Sequence, residues 1–280
     1  MNIQWYPGHM TKALRQMKDD LKLIDLVIEL IDARVPISSR NPDIDSLANN
    51  KSRMIILNKS DLADSEAVKA WTDYFNSSGA ICIPLDSRNN RDMNTIRKKC
   101  REACKEKIER DLKRGIKNRP VRAMVVGIPN VGKSTFINSF AGRASAKTGN
   151  KPGVTKGQQW IRIDKQLELL DTPGILWPKF EDQSVGRNLA AIGSINDEIL
   201  SRDELCSFIM DFINDKYPNV MADRYGGNTL NDVATRLGCI AKGGEPDLDK
   251  ASKLFIDDFR SGRLGSISIE YPMRKENYNE

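Results

Sequence analysis

A glycine-rich loop in the middle of the chain constrains the fold more than any other feature. The stretch GIPNVGKS, residues 127–134, has the spacing Gly-x-x-x-x-Gly-Lys-Ser and directly follows the apolar run RAMVV. The next residues, TFINSFAG, have the apolar spacing of a helix that ends at Gly142. Glycines at this spacing let a backbone wrap around a phosphate, and the N–H groups at the helix N-terminus attract its charge. The sequence therefore predicts a strand, a phosphate-binding loop and a helix.

Short apolar runs alternate with helical segments on both sides of this loop. Helical spacing is present at residues 65–75, and a long basic helix is expected from about Thr95 to Arg114. The alternation is typical of an α/β fold with an open, mostly parallel sheet and helices on both faces. Strands are expected at LVIELID (26–32), RMIILN (53–58), AICIPLDS (80–87), RAMVVG (122–127), QQWIRID (158–164) and QLELLD (166–171).

The pattern changes after Pro178. Helical segments rich in Asp and Glu follow one another, and Gly226-Gly227 and Gly243-Gly244 separate them. We therefore expect two domains, an α/β domain at residues 1–179 and a smaller all-helical domain at 180–280.

The composition is that of a soluble globular protein. Hydrophobic residues make up 39% of the chain and charged residues 29%. There is no run of about 18 apolar residues, so no membrane span is expected. The first residues lack the pattern of a signal peptide, and the five cysteines include no CxxC pair. These features predict a cytoplasmic protein.

Positive charge is concentrated in one part of the chain. Residues 88–122 contain fourteen Lys and Arg against five Asp and Glu, whereas the whole chain has a net charge of +6. This segment is either a solvated helix or a surface for a polyanion, most plausibly RNA. Four basic residues near the glycine turns are expected to contact RNA as well: Arg236, Lys242, Arg260 and Arg263.

Two side chains and the backbone of the glycine-rich loop are expected to hold a nucleotide. Lys133 should reach the β- and γ-phosphates and assist catalysis, and Ser134 should ligate Mg²⁺. The loop backbone around these residues completes the predicted cradle: Asn130, Val131, Gly132 and Thr135.

The base is predicted from NKSD, residues 58–61, which follows an apolar run. In such a loop the Asp61 carboxylate accepts hydrogen bonds from guanine N1–H and N2–H, Asn58 braces the loop, and the Lys59 stem packs over the ring. Adenine would leave Asp61 unpaired at a cost of about 1–3 kcal/mol. Ser87, in LDSR, is expected to offer its backbone N–H to guanine O6. The predicted ligands are GTP and GDP.

The remaining elements are DTPG, residues 171–174, and the preceding KPGVT. Asp171 should lie in the Mg²⁺ shell and Gly174 should meet the γ-phosphate, while Thr155 is the expected switch threonine, a Mg²⁺ ligand with a catalytic role. In most GTPases the NKxD loop comes last, but here it precedes the phosphate loop. The order predicts a circularly permuted P-loop GTPase domain, since termini that lie close together permit such rewiring.

The motif order and the stretches WYPGHM, DARVP, GNKPGVT and LLDTPGILWPKF resemble the YlqF/RbgA family of circularly permuted GTPases. The resemblance covers residues 1 to about 190 and continues more weakly through DFRSGRLG. It implies a bacterial GTPase that binds a late precursor of the large ribosomal subunit, with its rRNA, and promotes its maturation. Away from the ribosome we expect a monomer.

The group that orients the attacking water is not evident from the motifs. In Ras-like GTPases a glutamine follows DxxG, but Ile175 stands here and forms no hydrogen bond through its side chain. The resemblance implies His9, in the Pro-Gly-His-Met opening, as the catalytic element, brought into place by the ribosomal precursor. The alternatives are that His9 is an exposed residue and that rRNA or K⁺ orients the water. Asn130 would either offer an oxygen to K⁺ or only brace its loop.

Two functions of different class therefore remain open. One is a GTP-hydrolysing assembly factor stimulated by the particle that it binds. The other is an RNA-binding scaffold with a structural nucleotide site. The complete set of predicted phosphate and Mg²⁺ groups favours the first. A tRNA-modifying GTPase would need a second chemical site, and no Cys/His cluster provides one.

Overall fold

The computed structural model describes residues 15–48, 50–143, 159–177, 180, 182–195 and 200–272. Six strands form one sheet in the order β3-β2-β1-β4-β6-β5, in which all neighbours are parallel except β5 and β6. The predicted open, mostly parallel sheet is therefore confirmed. The strands are β1 Leu26–Asp32, β2 Ser52–Asn58, β3 Ile81–Leu85, β4 Val121–Val126, β5 Gln159–Arg162 and β6 Leu167–Asp171.

The central strands are buried on both faces, which explains their continuous apolar runs. All seven residues of β1 are buried. Alternate residues of β1 enter different hydrophobic clusters, because successive side chains point to opposite faces of a sheet. Ile28 packs in the largest cluster, and Val27 packs in a second one with Met17. Helices therefore cover both faces, as predicted.

The helices agree with the sequence pattern except in the basic segment. The expected single helix from Thr95 to Arg114 is two helices, because the chain turns at Cys104, whose N–H bonds to the carbonyl of Arg101 three residues earlier. The described helices are α1 (15–20), α2 Asp43–Leu47, α3 Ser65–Ser77, α4 Met93–Ala103, α5 Lys105–Lys113, α6 Lys133–Ala141, α7 Gln183–Ala191, α8 Arg202–Lys216, α9 Val220–Tyr225, α10 Leu230–Arg236 and α11 Leu248–Ser261.

The two predicted domains share one hydrophobic core. The largest cluster contains Ile28 and Phe136 of the α/β part together with Ile209, Phe255 and Ile267 of the helical part. The predicted boundary between residues 179 and 180 is therefore not a boundary of the hydrophobic core. Within the described ranges, no helix has the length and apolar character needed to cross a membrane.

Candidate functional site

The glycine-rich loop lies between the end of β4 and the start of α6. Gly127 has φ of 155°, and a Cβ there would lie 2.5 Å from the carbonyl oxygen of Leu30. Gly132 has φ of 98°, and a Cβ there would lie 2.4 Å from Asn58 Nδ2. A side chain at either position would strain the backbone and displace a neighbour. The two glycines of the motif thus let the loop approach β1 and the NKSD loop closely.

Lys133 is buried at the start of α6. Its Nζ donates to the carbonyl oxygens of Gly127 at 3.0 Å and Ile128 at 2.8 Å. Burial lowers the pKa of Lys133 to about 8, although Asp171 opposes this shift. The ammonium group of Lys133 thus bonds to the backbone of the phosphate loop itself.

Asp171 ends β6 next to this loop. Burial raises its pKa to about 6, against the opposing charge of Lys133 and a backbone hydrogen bond from Thr172. Its Oδ1 is buried and forms no hydrogen bond with any described residue. A buried carboxylate oxygen without a partner costs free energy unless a ligand or water satisfies it. Hard oxygen donors of this kind suit Mg²⁺.

The DTPG segment contacts the phosphate loop directly. A Cβ at Gly174 would lie 2.8 Å from Pro129 N and 3.0 Å from Lys133 Nζ. The next residue, Ile175, donates its N–H to the carbonyl of Gly127 at 3.3 Å. The structure therefore brings together the two segments that the sequence predicts to surround the γ-phosphate.

Asn58 joins the three loops of the predicted nucleotide site. Its side chain is buried, and its Nδ2 donates to the carbonyl of Val131 in the phosphate loop at 2.7 Å. Its Oδ1 accepts from both Ser87 N at 3.1 Å and Ser87 Oγ at 2.6 Å. Asn58 is thus placed to brace the loop, whereas the Ser87 N–H that was predicted to reach guanine O6 donates to Asn58 in the structure.

The neighbouring residues of the NKSD loop form ion pairs. Lys59 adopts a left-handed conformation, with φ of 58°, and its Nζ lies 3.0 Å from Asp32 Oδ2. Asp61 Oδ2 lies 2.5 Å from Arg88, whose Nε also donates to Asp86 at 2.9 Å. The carboxylate predicted to bind guanine is therefore paired with a guanidinium group in the structure.

Sequence reasoning missed the buried ion pairs behind this loop. Arg34 and Asp32 are buried and paired at 2.8 Å, and Arg34 also donates to the carbonyl of Arg260 at 3.3 Å. Although burial opposes ionisation, Arg34 and Lys59 hold the pKa of Asp32 well below its usual range. The available signal was DARVP, where two opposite charges follow a buried strand.

The phosphate loop also contacts the helical part. Asn130 Nδ2 donates to the carbonyl of Gly193, just after α7, at 2.8 Å. This contact uses the amide nitrogen of Asn130 and not the side-chain oxygen that the K⁺ role would need, so both predicted roles stay open. Val131 is buried, and Ser134 and Thr135 lie half-buried in the first turn of α6.

Two predicted site residues, His9 and Thr155, lie outside the described residues. Among the described residues, Met17 and Leu21 share a buried cluster with Ile175. Ile175 is thus a buried core residue beside DTPG.

The chain is similar to proteins of one family. Residues 122–224 match the family model described as 50S ribosome-binding GTPase. This match begins at the strand before the phosphate loop and leaves out NKSD, as the permuted motif order requires.

Relatives and solved structures match nearly the whole chain. The ribosome biogenesis GTPase A of Bacillus cereus is 46% identical over 97% of this chain and 95% of that protein. The protein of the same name in Bacillus licheniformis is 45% identical over 97% and 99%. The crystal structure of GNP-bound YlqF from T. maritima is 29% identical, with a TM-score of 0.64 over 94% of this chain and 99% of that chain. A GDP-bound YlqF structure has a TM-score of 0.66 at 28% identity over 92% and 99%. The chain therefore belongs to the ribosome biogenesis GTPase A family.

Proposed function

We propose that this protein hydrolyses GTP while it binds a late precursor of the large ribosomal subunit and promotes its maturation. The proposal depends above all on the hydrogen bonds of the Asn58 side chain. They join the NKSD loop to the phosphate loop through Val131 and to the LDSR loop through Ser87. In addition, Gly174 of the DTPG segment lies against the phosphate loop. A scaffold protein with a purely structural nucleotide would not need this contact. The GTPase names of the relatives support the same conclusion.

Mg²⁺ is part of the proposal. Ser134 and Thr155 would ligate the ion, and Asp171 would lie in its shell, where its unpaired Oδ1 fits a cation or its bound water. When bound, the ion would neutralise charge on the phosphates. Lys133 would leave its two carbonyl partners and bind the phosphates.

A surface for rRNA is proposed around α5. Of the basic residues in this region, Lys107 and Arg119 are engaged with Asp25 and Asp111. A second group is exposed and forms no ion pair with any described residue, so it is available for phosphates. This group consists of Lys98, Arg110, Lys113, Arg114 and Lys117.

The helical part offers fewer basic residues for rRNA than expected. Arg260 is engaged inside the protein, because its Nε and Nη2 donate to the carbonyls of Ala191 and Ala190 at 3.1 and 2.7 Å. Arg263 pairs with Asp258. Arg236 and Lys242 are exposed and remain candidates.

The ribosomal particle is proposed to stimulate hydrolysis by ordering the segment that carries His9. A neutral imidazole would accept a hydrogen bond from the attacking water, the role that Ile175 is unable to fill. We expect His9→Ala to reduce particle-stimulated turnover by roughly 10²–10⁴-fold, the range of a positioned acid–base group, with unchanged GTP affinity. Stimulated turnover equal to that of the wild type would exclude His9 from the mechanism.

The decisive experiment measures GTP turnover with and without purified large-subunit precursors. Stimulation by precursors, and less by mature subunits, is the expected result. Binding to the particle without any turnover would favour the scaffold. The same assay in sodium and potassium buffers tests K⁺ at Asn130, and equal rates would remove the ion from the mechanism.

A further inference from the structure

A short segment after α11 returns to the NKSD loop, some 200 residues earlier in the chain. We name residues 266–270 the C-terminal strap. Strap residues donate to the carbonyls of Asp61 and Leu62 and accept from the amide of Asp64, so they hold the last residue of NKSD and the backbone that follows it. The three hydrogen bonds are Ser266 Oγ to Asp61 O at 3.1 Å, Ile267 N to Leu62 O at 3.0 Å, and Asp64 N to Ser268 Oγ at 3.1 Å.

The strap is itself anchored at Glu270. The carboxylate of Glu270 accepts from Ile37 N at 2.7 Å, Ser38 N at 3.1 Å and Asn188 Nδ2 at 3.1 Å, and also from Ser38 Oγ. The backbone carbonyl of Glu270 accepts from Trp71 Nε1 at 3.0 Å. Five donors from three parts of the chain thus fix one residue, and hydrogen bonds to a charged acceptor are the stronger kind.

The strap is also bonded to the helical part. Tyr217, at the end of α8, donates its hydroxyl to Ser268 O at 3.1 Å and accepts from Ser268 N at 3.0 Å. Ser268 and Ile267 are fully buried. The strap is therefore fixed between α8 and the NKSD loop.

We propose that the C-terminal strap positions the guanine-binding loop, and that Glu270 is a positioning residue for guanine recognition. This proposal rests on the assignment of NKSD to the base. Asp61 must present both carboxylate oxygens in the plane of guanine, and its own carbonyl is held by Ser266. A loop that is already ordered spends less binding free energy on ordering when the base arrives.

The test compares two nucleotides in the full-length protein. Inosine triphosphate lacks the 2-amino group of GTP, so the ratio of the two affinities reports how well Asp61 is placed. In Glu270→Gln, an amide NH₂ group replaces one carboxylate oxygen. A donor then faces the donor groups of Ile37, Ser38 and Asn188 and is unable to accept from them. We expect the affinity for GTP to fall roughly three- to tenfold, as for one or two lost hydrogen bonds. The ratio of GTP affinity to ITP affinity should fall as well.

A matched variant controls for the lost charge. Glu106→Gln removes an exposed carboxylate on α5, and it should leave both affinities unchanged. Amide hydrogen exchange of residues 61–64 should become faster in Glu270→Gln and not in Glu106→Gln. If Glu270→Gln does not fold, Ser266→Ala removes only the hydroxyl that donates to Asp61 O, and the same ratio should fall by a smaller factor.

Two results would overturn the proposal. The first is an unchanged GTP/ITP affinity ratio; if both affinities fall equally and the Tm is lower, Glu270 has a role in stability alone. The second is amide exchange of residues 61–64 that is no faster in Glu270→Gln than in the wild type. Asp61→Asn, measured in parallel, separates the strap from the base assignment. Unchanged GTP affinity in Asp61→Asn would reject NKSD as the base loop and the strap proposal with it. A loss there without any effect of Glu270→Gln would reject the strap alone.

Discussion

Replacement of Asn58 tests whether one buried amide holds the nucleotide site together. In Asn58→Ala, the carbonyl of Val131 and the N–H and hydroxyl of Ser87 all lose their partner in a buried place. An unsatisfied buried polar group costs about 1–3 kcal/mol, and relaxation or entering water recovers part of this. We therefore expect the free energy of unfolding to fall by about 2–4 kcal/mol.

Asn58→Asp separates the two sides of the amide. The carboxylate still accepts from Ser87, but it loses the donor to Val131 and places a negative oxygen near a carbonyl oxygen. We expect GTP affinity to fall by at least about tenfold, because 1.4 kcal/mol corresponds to a factor of ten and the phosphate loop loses its brace. GTP titration by calorimetry and urea denaturation of the nucleotide-free protein measure the two effects.

The control is Asn76→Ala, because Asn76 also accepts a backbone hydrogen bond, from Cys82 N at 3.0 Å, but lies away from the phosphate loop. It should lower stability slightly and leave GTP affinity unchanged. Asn58→Asp with wild-type GTP affinity would refute the reasoning, whatever its stability, because the amide would then serve packing alone.

Three further predictions concern the same site. Arg88→Ala frees the Asp61 carboxylate, so GTP should associate faster and bind up to roughly threefold more tightly. The expected effect is small because the ion pair is exposed. Slower association in stopped-flow measurements would contradict this prediction. Gly174→Ala places a methyl group against Pro129, so GTP affinity should fall roughly tenfold, as for one displaced hydrogen bond, while GDP affinity changes less. Lys133 has a pKa of about 8, so part of the protein should take up a proton when a phosphate binds near pH 8. Nucleotide affinity should therefore fall as the pH rises above 8. Calorimetry in buffers of different ionisation enthalpy measures the proton uptake.

Local patterns predicted the sheet well because its central strands are mostly apolar and buried. The break at Cys104 was not predictable in this way, since the basic and apolar spacing of a helix continues through it. The phosphate loop and NKSD were recognised from spacing, because their chemistry requires fixed residue types at fixed positions. The ion pairs of Asp61 with Arg88 and of Asp32 with the buried Arg34 were not predicted, because the sequence alone does not show which charged residue pairs with which.

Contacts between distant parts of the chain were the hardest to predict. The boundary at residue 179 followed from a real change in pattern, but nothing local indicated that Phe255 and Ile267 complete the core of the α/β part. Arg260 illustrates the same limit. Its position beside a glycine turn suggested a surface role, whereas its guanidinium lies against the carbonyls at the end of α7.

The return of the C-terminal strap to the NKSD loop has a consequence for protein synthesis. Strands β1 to β3 leave the ribosome first, yet β1 pairs with β4, and the loop after β2 gains its last hydrogen bonds only from residues 266–268. In a nascent chain, the loop after β2 would therefore lack these hydrogen bonds until residues 266–268 have been translated. If NKSD binds guanine as proposed, the complete binding loop would form only late in biosynthesis.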